Sequence, residues 1–180
     1  TLGEAVVAGR VEAVARADDG WRVTTADRTL DAQALVLATG ADGAPAGLPE
    51  AARRLIEAIQ PIRGQIAITK QSLADHVVRG PGAYVAPMGP GAVVGATMEP
   101  GRRDTAPDAA AGERLLQAAW RVLNRTPGTL EVEWRAGVRG ASSDGLPLAG
   151  AAPGGPGLFM ALAPRRNGWL LGPLIGGVVA

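Results

Sequence analysis

The chain has 180 residues, 47% of them hydrophobic, which is enough for one domain with a real core or for parts of two. Its formal net charge of +1, with no block of like charge, gives no electrostatic case for binding nucleic acid or an anionic membrane. The absence of cysteine excludes disulfides, thiolate metal sites and cysteine nucleophiles, and the single histidine excludes a multi-histidine metal centre within this chain.

The first part of the chain predicts a small antiparallel meander followed by a buried strand. Residues 9–16 and 21–26 predict two strands joined by an Asp-Asp-Gly turn, and residues 29–32 predict a third. The apolar run 34–40 predicts a strand buried on both faces, as in a parallel sheet covered by helices. Gly40 at its end would let a ligand approach the backbone, although many such strands simply end in glycine.

The middle of the chain predicts an antiparallel sheet with a helix. Residues 107–125 predict that helix, because Pro107 and Asp108 suit a helix start and an apolar face follows them. Around it, the sequence predicts a short helix over 51–59 and strands over 62–69, 83–88, 92–98 and 131–141.

The last part predicts a return to a buried strand and a helix. Residues 157–163 form another apolar strand, and the stretch PRRNGWLLGP leads from it into an apolar helix. The run Trp169–Ala180 is far shorter than the roughly 20 residues that a membrane span needs, so we expect a helix buried between other elements. The chain opens in mid-pattern and stops inside this helix without a C-cap, which predicts that both ends are cut.

Two arginine-containing stretches are candidates for chemistry. Arg139 follows a strand, and a guanidinium there can hold a carboxylate through two parallel hydrogen bonds. Arg165 and Arg166 precede the last helix, whose N–H groups around Gly168 favour an anion or an electron-rich ring edge. Each stretch also has an ordinary interpretation, a surface arginine on an edge strand and a plain helix entry. Asp144 is predicted to form a turn rather than to act as an acid.

Six segments, taken in order, resemble the FAD-dependent D-amino-acid oxidase family, and most of all its glycine oxidase branch. The segments run over nearly all of the chain: GRVEAV with GWRVTTADRTLDAQALVLATGA, PIRGQI, AYVAP, VVGATMEPG, AGVRGASSDGLPLAG and RRNGWLLGPL. The family's N-terminal G-x-G-x-x-G segment is missing from this chain, and that is the largest departure from the pattern.

The resemblance implies a mixed α+β and α/β fold that is part of a two-domain FAD oxidoreductase. An antiparallel substrate-domain sheet with a helix would be combined with the C-terminal strands and helix of the FAD-binding domain. Residues 1–45 would belong to the FAD-binding domain, 46–140 to the substrate-binding domain, and 141–180 would return to the FAD-binding domain.

The resemblance also implies where FAD would be held. The segment before and into the last helix would line the flavin ring with backbone N–H groups, and Ala163-Pro164 stands where the family often has Gly-His. A lost N–H at Pro164 would alter those flavin contacts. The implied cofactor-binding residues are Val11, Gly40, Pro164, Arg165, Arg166, Asn167, Gly168, Trp169 and Leu170.

For the substrate, the resemblance implies Arg139 as the main carboxylate clamp, with Arg166 facing the same molecule. Tyr84 and Met98 match positions in the substrate pocket. Gly140 stands where a proline usually follows the clamp arginine, but this change leaves the arginine in place. No catalytic side-chain base and no metal are implied, because the chemistry belongs to the flavin.

The activity implied is oxidative deamination of a small amino acid or amine, such as glycine, sarcosine or a D-amino acid. Hydride would pass to FAD, and oxygen would be the acceptor, giving hydrogen peroxide and an oxo acid. The implied partners are this substrate and either a second copy of the chain or a missing N-terminal FAD-binding segment, with no nucleic acid and no membrane. A cytoplasmic location and a link to thiamine biosynthesis follow from the same resemblance.

Two alternatives stay open at this point. One is a tRNA-modifying FAD oxidoreductase domain, against which the nearly neutral charge argues. The other is a non-catalytic fragment of such an oxidase, which the missing G-x-G-x-x-G segment favours for the isolated chain.

Overall fold

The computed structural model describes residues 6–180 and divides the chain into two compact units. Unit 1 consists of the chain up to Gln60 together with Gly140–Ala180, and unit 2 is Pro61–Arg139. The assignment of residues 1–45 and 141–180 to an FAD-binding domain and of 46–140 to a substrate-binding domain stays a prediction. In chain order the elements are β1 (Val11–Ala17), β2 (Gly20–Thr25), β3 (Thr29–Ala32), β4 (Leu35–Leu37), α1 (Glu50–Glu57), β5 (Gln60–Thr69), β6 (Val78–Gly80), β7 (Ala83–Met88), β8 (Gly91–Gly95), β9 (Glu99–Pro100), α2 (Ala109–Leu123), β10 (Val132–Ala141), β11 (Leu148–Ala151), β12 (Leu158–Leu162) and α3 (Gly168–Val179).

Unit 1 contains two three-stranded sheets. The predicted meander is confirmed, because β1, β2 and β3 form an antiparallel sheet in that order. In the second sheet, β12 lies between β11 and β4 and is antiparallel to β11 but parallel to β4. Trp21, which is 1% exposed, lies in the core of this unit, and its Nε1 donates to the Pro156 carbonyl oxygen at 3.1 Å. Helix α1 adds Ala52 and Ile56 to the same core, which explains why it belongs to unit 1.

Strand β4 differs from the strand predicted over 34–40. It is only three residues long, and Val36 is 47% exposed, whereas Leu37 is buried. The prediction of burial on both faces was wrong. Successive side chains in a strand point to opposite faces, and the described residues cover only the face that Leu37 occupies.

Helix α3 is also less buried than predicted. Ile175 is its only buried side chain, whereas Trp169 is 101% exposed and Leu174 is 66% exposed. The helix packs against β11 and β12, and a helix that is apolar all round buries only one stripe against a single sheet. The expectation of a helix buried between other elements was therefore wrong. No helix within residues 6–180 is long and apolar enough to cross a membrane.

Unit 2 is a sheet with one long helix on one face. The strand order is β10-β5-β8-β7-β6, and β9 pairs with β5 beyond the end of β8. Helix α2 begins next to Asp108, whose carboxylate accepts a hydrogen bond from the Ala111 N–H at 2.8 Å, as the predicted start requires. The mixed fold with an antiparallel sheet and a helix is confirmed. The core between α2 and the sheet consists of Ala67, Leu73, Ala83, Val85, Ala92, Val94, Leu115, Ala118 and Ala119.

We call the other side of this sheet the face opposite α2, and the strand registers show which residues lie on it. Val85 pairs with Val94 on the α2 side, so the neighbouring pair Tyr84 and Gly95 points away from α2. Further side chains on this face belong to β5 and β8, where Ile68 pairs with Val93. They are only partly buried, so unit 2 leaves this face accessible by itself.

Candidate functional site

Arg139 lies on the face opposite α2, near the end of β10, and its head rests on the neighbouring strand β5. Both Nη atoms occupy the space that a Cβ at Gly64 would fill. They lie closer to that position than 3.4 Å, the distance at which ordinary van der Waals contact begins. Nη1 also lies 4.0 Å from the Met98 Sδ. Two of the predicted substrate residues, Arg139 and Met98, are thus brought together. Met98 is 39% exposed, so it is available on this side of the sheet.

Tyr84 lies on the same face, two strands away from β5. Its ring covers Gly95 so closely that a Cβ there would overlap the phenol. The Arg79 guanidinium carbon lies 5.6 Å from the centre of the same ring, in the range of a cation–π interaction. Sequence reasoning missed Arg79 and both glycines. The pairing of Arg79 with Tyr84 across the short hairpin of β6 and β7 is the feature that could have pointed to Arg79.

A buried ionic network lies on the α2 side of β5, beneath this face. Arg63 is fully buried, and its Nη1 donates to both carboxylate oxygens of Glu99 at 2.7 Å. Gln65, also fully buried, accepts from the Asp108 N–H at 2.7 Å and donates to the Asp108 carbonyl oxygen at 3.0 Å. Arg102 donates to Glu99 from the following loop at 2.8 Å. The network ties β5 and β9 to the start of α2 and so fixes the strand on which Arg139 rests.

The network also sets the charge state of Glu99. Burial by itself would raise the pKa of this carboxyl, but the Thr97 hydroxyl and the Arg63 and Arg102 guanidiniums together hold it below its usual value. Glu99 is therefore ionised at neutral pH and matches the charge of Arg63. Sequence reasoning did not identify this group, because its members are far apart along the chain.

In unit 1, two of the predicted cofactor-binding stretches, Gly40 and the segment 164–170, follow neighbouring strands of the second sheet. Strands β4 and β12 are parallel, with Leu37 opposite Met160, so the segments that follow them begin at the same edge. Gly40 has a φ of +66°, and a Cβ there would meet nothing within 4 Å. The Thr39 hydroxyl beside it is buried and has no hydrogen-bond partner among the described residues.

The segment from Pro164 to Leu170 leads from β12 into α3. The Asn167 N–H donates to the Pro164 carbonyl oxygen at 2.9 Å, and Asn167 occupies the N-cap position of α3, where its side chain makes no capping hydrogen bond. The first N–H groups of a helix have no partner within the helix, so those of α3 remain available to an acceptor. Arg165, at a φ of +51°, is exposed, as are Arg166 and Trp169.

The open space at Gly40, the orphaned Thr39 hydroxyl and the uncapped start of α3 fit a polar, electron-rich ligand such as FAD. Val11, at the first position of β1, is 41% exposed. Arg166 belongs to unit 1 and Arg139 to unit 2, so their meeting at one substrate stays a prediction. Asp144 accepts from the Leu146 N–H at 3.0 Å, which confirms its role in a turn.

Comparisons with known proteins agree with these features. The profile of the DAO family, described as FAD dependent oxidoreductase, matches residues 2–180. The chain is 37% identical over 178 residues to the tRNA 5-methylaminomethyl-2-thiouridine biosynthesis bifunctional protein MnmC of Caulobacter sp. strain K31. It is 34% identical over 168 residues to the glycine oxidase of Geobacillus kaustophilus. These alignments cover 94% and 89% of this chain but only 28% and 43% of the two relatives.

The crystal structure of the Geobacillus kaustophilus glycine oxidase matches this chain with a TM-score of 0.75 at 30% identity. The match covers 94% of this chain and 46% of that structure. The chain thus spans less than half the length of the relatives it matches. It belongs to the DAO family of FAD-dependent oxidoreductases, whose cofactor is FAD.

Proposed function

We propose that this chain supplies the substrate clamp and part of the FAD site of an enzyme that oxidises a small amino acid or amine. Glycine, sarcosine and D-amino acids are the candidate substrates, and oxygen is the candidate electron acceptor. The observation that carries the proposal is the placement of Arg139 beside Met98 on the accessible face opposite α2.

The clamp acts through geometry and charge. The two Nη groups of Arg139 offer parallel donors that match the two oxygens of a carboxylate. The same face of the sheet also carries the side chains of Ile66, Val93 and Tyr84. A carboxylate anchored at Arg139 would fix where the α-carbon of the substrate lies.

FAD, when bound, would supply a two-electron oxidation: the substrate would lose a hydride from its α-carbon and a proton from its amine, and the resulting imine would add water to give an oxo acid and ammonia, or methylamine in the case of sarcosine, while oxygen would be reduced to hydrogen peroxide as FAD is reoxidised. The residues of unit 1 would hold and polarise the cofactor. The first N–H groups of α3 and the Arg166 guanidinium would place positive charge near the negative charge that a flavin gains on reduction. The Thr39 hydroxyl would gain a hydrogen-bond partner, which it lacks among residues 6–180.

A second candidate is oxidation of an amine carried on tRNA. The relative that is 37% identical to this chain is named for tRNA modification, and this favours the alternative. The formal net charge of +1 argues against it, because nucleic-acid binding usually requires a basic surface.

The test is turnover by the FAD-loaded protein, followed through hydrogen peroxide and through anaerobic bleaching of the flavin. We expect bleaching with glycine, sarcosine or D-alanine, and a KM raised on the order of 100-fold by Arg139→Ala. Arg135→Ala is the matched control, since Arg135 lies on the same strand and already pairs with Glu133 at 2.7 Å. An unchanged KM in Arg139→Ala would refute the clamp.

The alternative is separated by a binding measurement. Saturable tRNA binding at about 150 mM salt, together with no bleaching by any free amine, would replace the amino-acid proposal. The absorption spectrum of the chain after incubation with FAD and desalting reports whether this chain retains the cofactor.

A further inference from the structure

We propose that Gly64 is a positioning residue for the clamp: the bare backbone of β5 at this position determines where the Arg139 guanidinium lies. The inference rests on the proposed function insofar as Arg139 binds the substrate carboxylate. The displacement of Arg139 itself can be measured independently of that role.

The backbone does not explain the glycine. Gly64 lies inside β5 and is not among the glycines with a positive φ, so its conformation suits any residue. A glycine in the interior of a strand costs stability relative to residues with a side chain. The reason for it is therefore the space above its Cα.

That space is filled by Arg139. The residues on either side of Gly64, Arg63 and Gln65, are fully buried on the α2 side of the sheet. Because successive residues of a strand face opposite sides, Gly64 lies on the face opposite α2. All three of the atoms nearest to a Cβ built at Gly64 belong to the guanidinium of Arg139. The head of Arg139 is thus seated on the backbone of β5, with the Met98 Sδ 4.0 Å from Nη1.

A methyl group at Gly64 would move the head rather than break the fold. The guanidinium is the far end of a flexible side chain, so it yields easily. By contrast, a Cβ at Gly91 would collide with the backbone of Thr69. To reach ordinary contact distance the guanidinium must retreat by about 1 Å. Such a misplacement costs on the order of 100-fold in a well-oriented site.

The kinetic test compares two glycines in FAD-loaded protein. Gly64→Ala is expected to raise KM for the amino acid on the order of 100-fold. Gly137→Ala is the matched control, because Gly137 lies two residues before Arg139 on the same strand and a Cβ there meets nothing within 4 Å. It should leave KM unchanged.

A double variant separates positioning from a general structural effect. In the Arg139→Ala background there is no guanidinium to displace, so adding Gly64→Ala should change KM no further. If the two substitutions instead multiply their effects, Gly64 acts on the fold and the proposal is wrong.

A spectroscopic test needs neither turnover nor FAD. In protein labelled with ¹⁵N-arginine, the Nε–Hε signal of Arg139 is followed with and without acetate as a carboxylate probe. Gly64→Ala should shift this signal and weaken its response to acetate, whereas Gly137→Ala should do neither. An unmoved signal in Gly64→Ala overturns the inference. If acetate does not change the Arg139 signal of the wild-type protein, the carboxylate clamp of the proposed function is refuted. A shift of that signal in Gly64→Ala would still show that Gly64 determines the position of the Arg139 guanidinium.

Discussion

The two units differ in how they cover their apolar and charged groups. Unit 2 packs α2 over one face of its sheet and buries a charged group, Arg63, completely. Unit 1 buries Trp21 and Leu162 in its core but leaves Trp169 and Leu174 of α3 exposed. Among the described residues, the apolar helix α3 is therefore covered on one side only, whereas a charged residue in strand β5 is covered completely.

The ion pairs show the same contrast. In unit 2 the Arg63 side chain is 0% exposed and its partner Glu99 is 19% exposed. In unit 1 the pair of Arg22 and Asp31 is 54% and 61% exposed. Water and salt screen the second pair much more strongly than the first. Removing a partner should therefore have very different consequences in the two units.

The largest effect is expected for Arg63→Ala. The substitution leaves Glu99 charged and partly buried without its main partner, which should lower the free energy of unfolding of unit 2 by about 3–5 kcal/mol. Native-state hydrogen exchange of the α2 amides measures this. Arg22→Ala, the exposed counterpart in unit 1, should change exchange in its own sheet far less. Equal losses of stability in Arg63→Ala and Arg22→Ala would show that burial does not determine how much these ion pairs contribute.

The apolar contrast within unit 1 is tested by two leucines. Leu162 is 0% exposed in β12, and Leu162→Ala should destabilise unit 1 by about 2–5 kcal/mol through the cavity that it leaves. Leu174 is 66% exposed in α3, and Leu174→Ala should stay within about 0.5 kcal/mol. Urea unfolding, with exchange of the β12 amides as the reporter, gives both values. A large loss in Leu174→Ala would mean that α3 is covered in solution.

Acid should weaken unit 2 through Glu99. Its folded pKa lies below the ordinary value of 4.5, so the unfolded chain binds the proton first as the pH falls. The stabilisation is complete above about pH 4.5 and is lost progressively as the pH falls through the folded pKa. Glu99→Gln removes the titrating group, so it should lower stability at neutral pH and flatten the acid branch. The measurement is the stability of unit 2 as a function of pH.

Asp31→Asn provides the matched control for this profile. The Arg22 side chain lowers the Asp31 pKa through a hydrogen bond, but this pair lies at the surface of unit 1. Its contribution should disappear in about 1 M salt, whereas that of Glu99 should persist. A Glu99→Gln variant with the wild-type acid profile would contradict the role assigned to the network.

Local patterns in the sequence predicted the elements, and long-range pairing decided the rest. Alternation and turns gave the meander β1–β3, and the cap at Asp108 gave the start of α2, because these signals lie within a few residues. The sequence also singled out Arg139. The sequence could not reveal the contact between the Arg139 guanidinium and Gly64, because that contact depends on β5 and β10 being neighbours in one sheet. For the same reason it missed the pairing of Arg63 with Glu99.

The smallest expected effect concerns the two helix caps. Asp108 accepts the Ala111 N–H at 2.8 Å, whereas Asn167 of α3 makes no side-chain hydrogen bond. Asp108→Ala should therefore raise the exchange of the first α2 amides roughly fivefold, because one N–H loses its acceptor. Asn167→Ala should change the first turn of α3 by less than about twofold. Asp108→Asn keeps the acceptor and serves as the control. A large effect of Asn167→Ala would mean that this side chain binds the start of α3 in solution, and the opening there would be less suited to an external acceptor such as FAD.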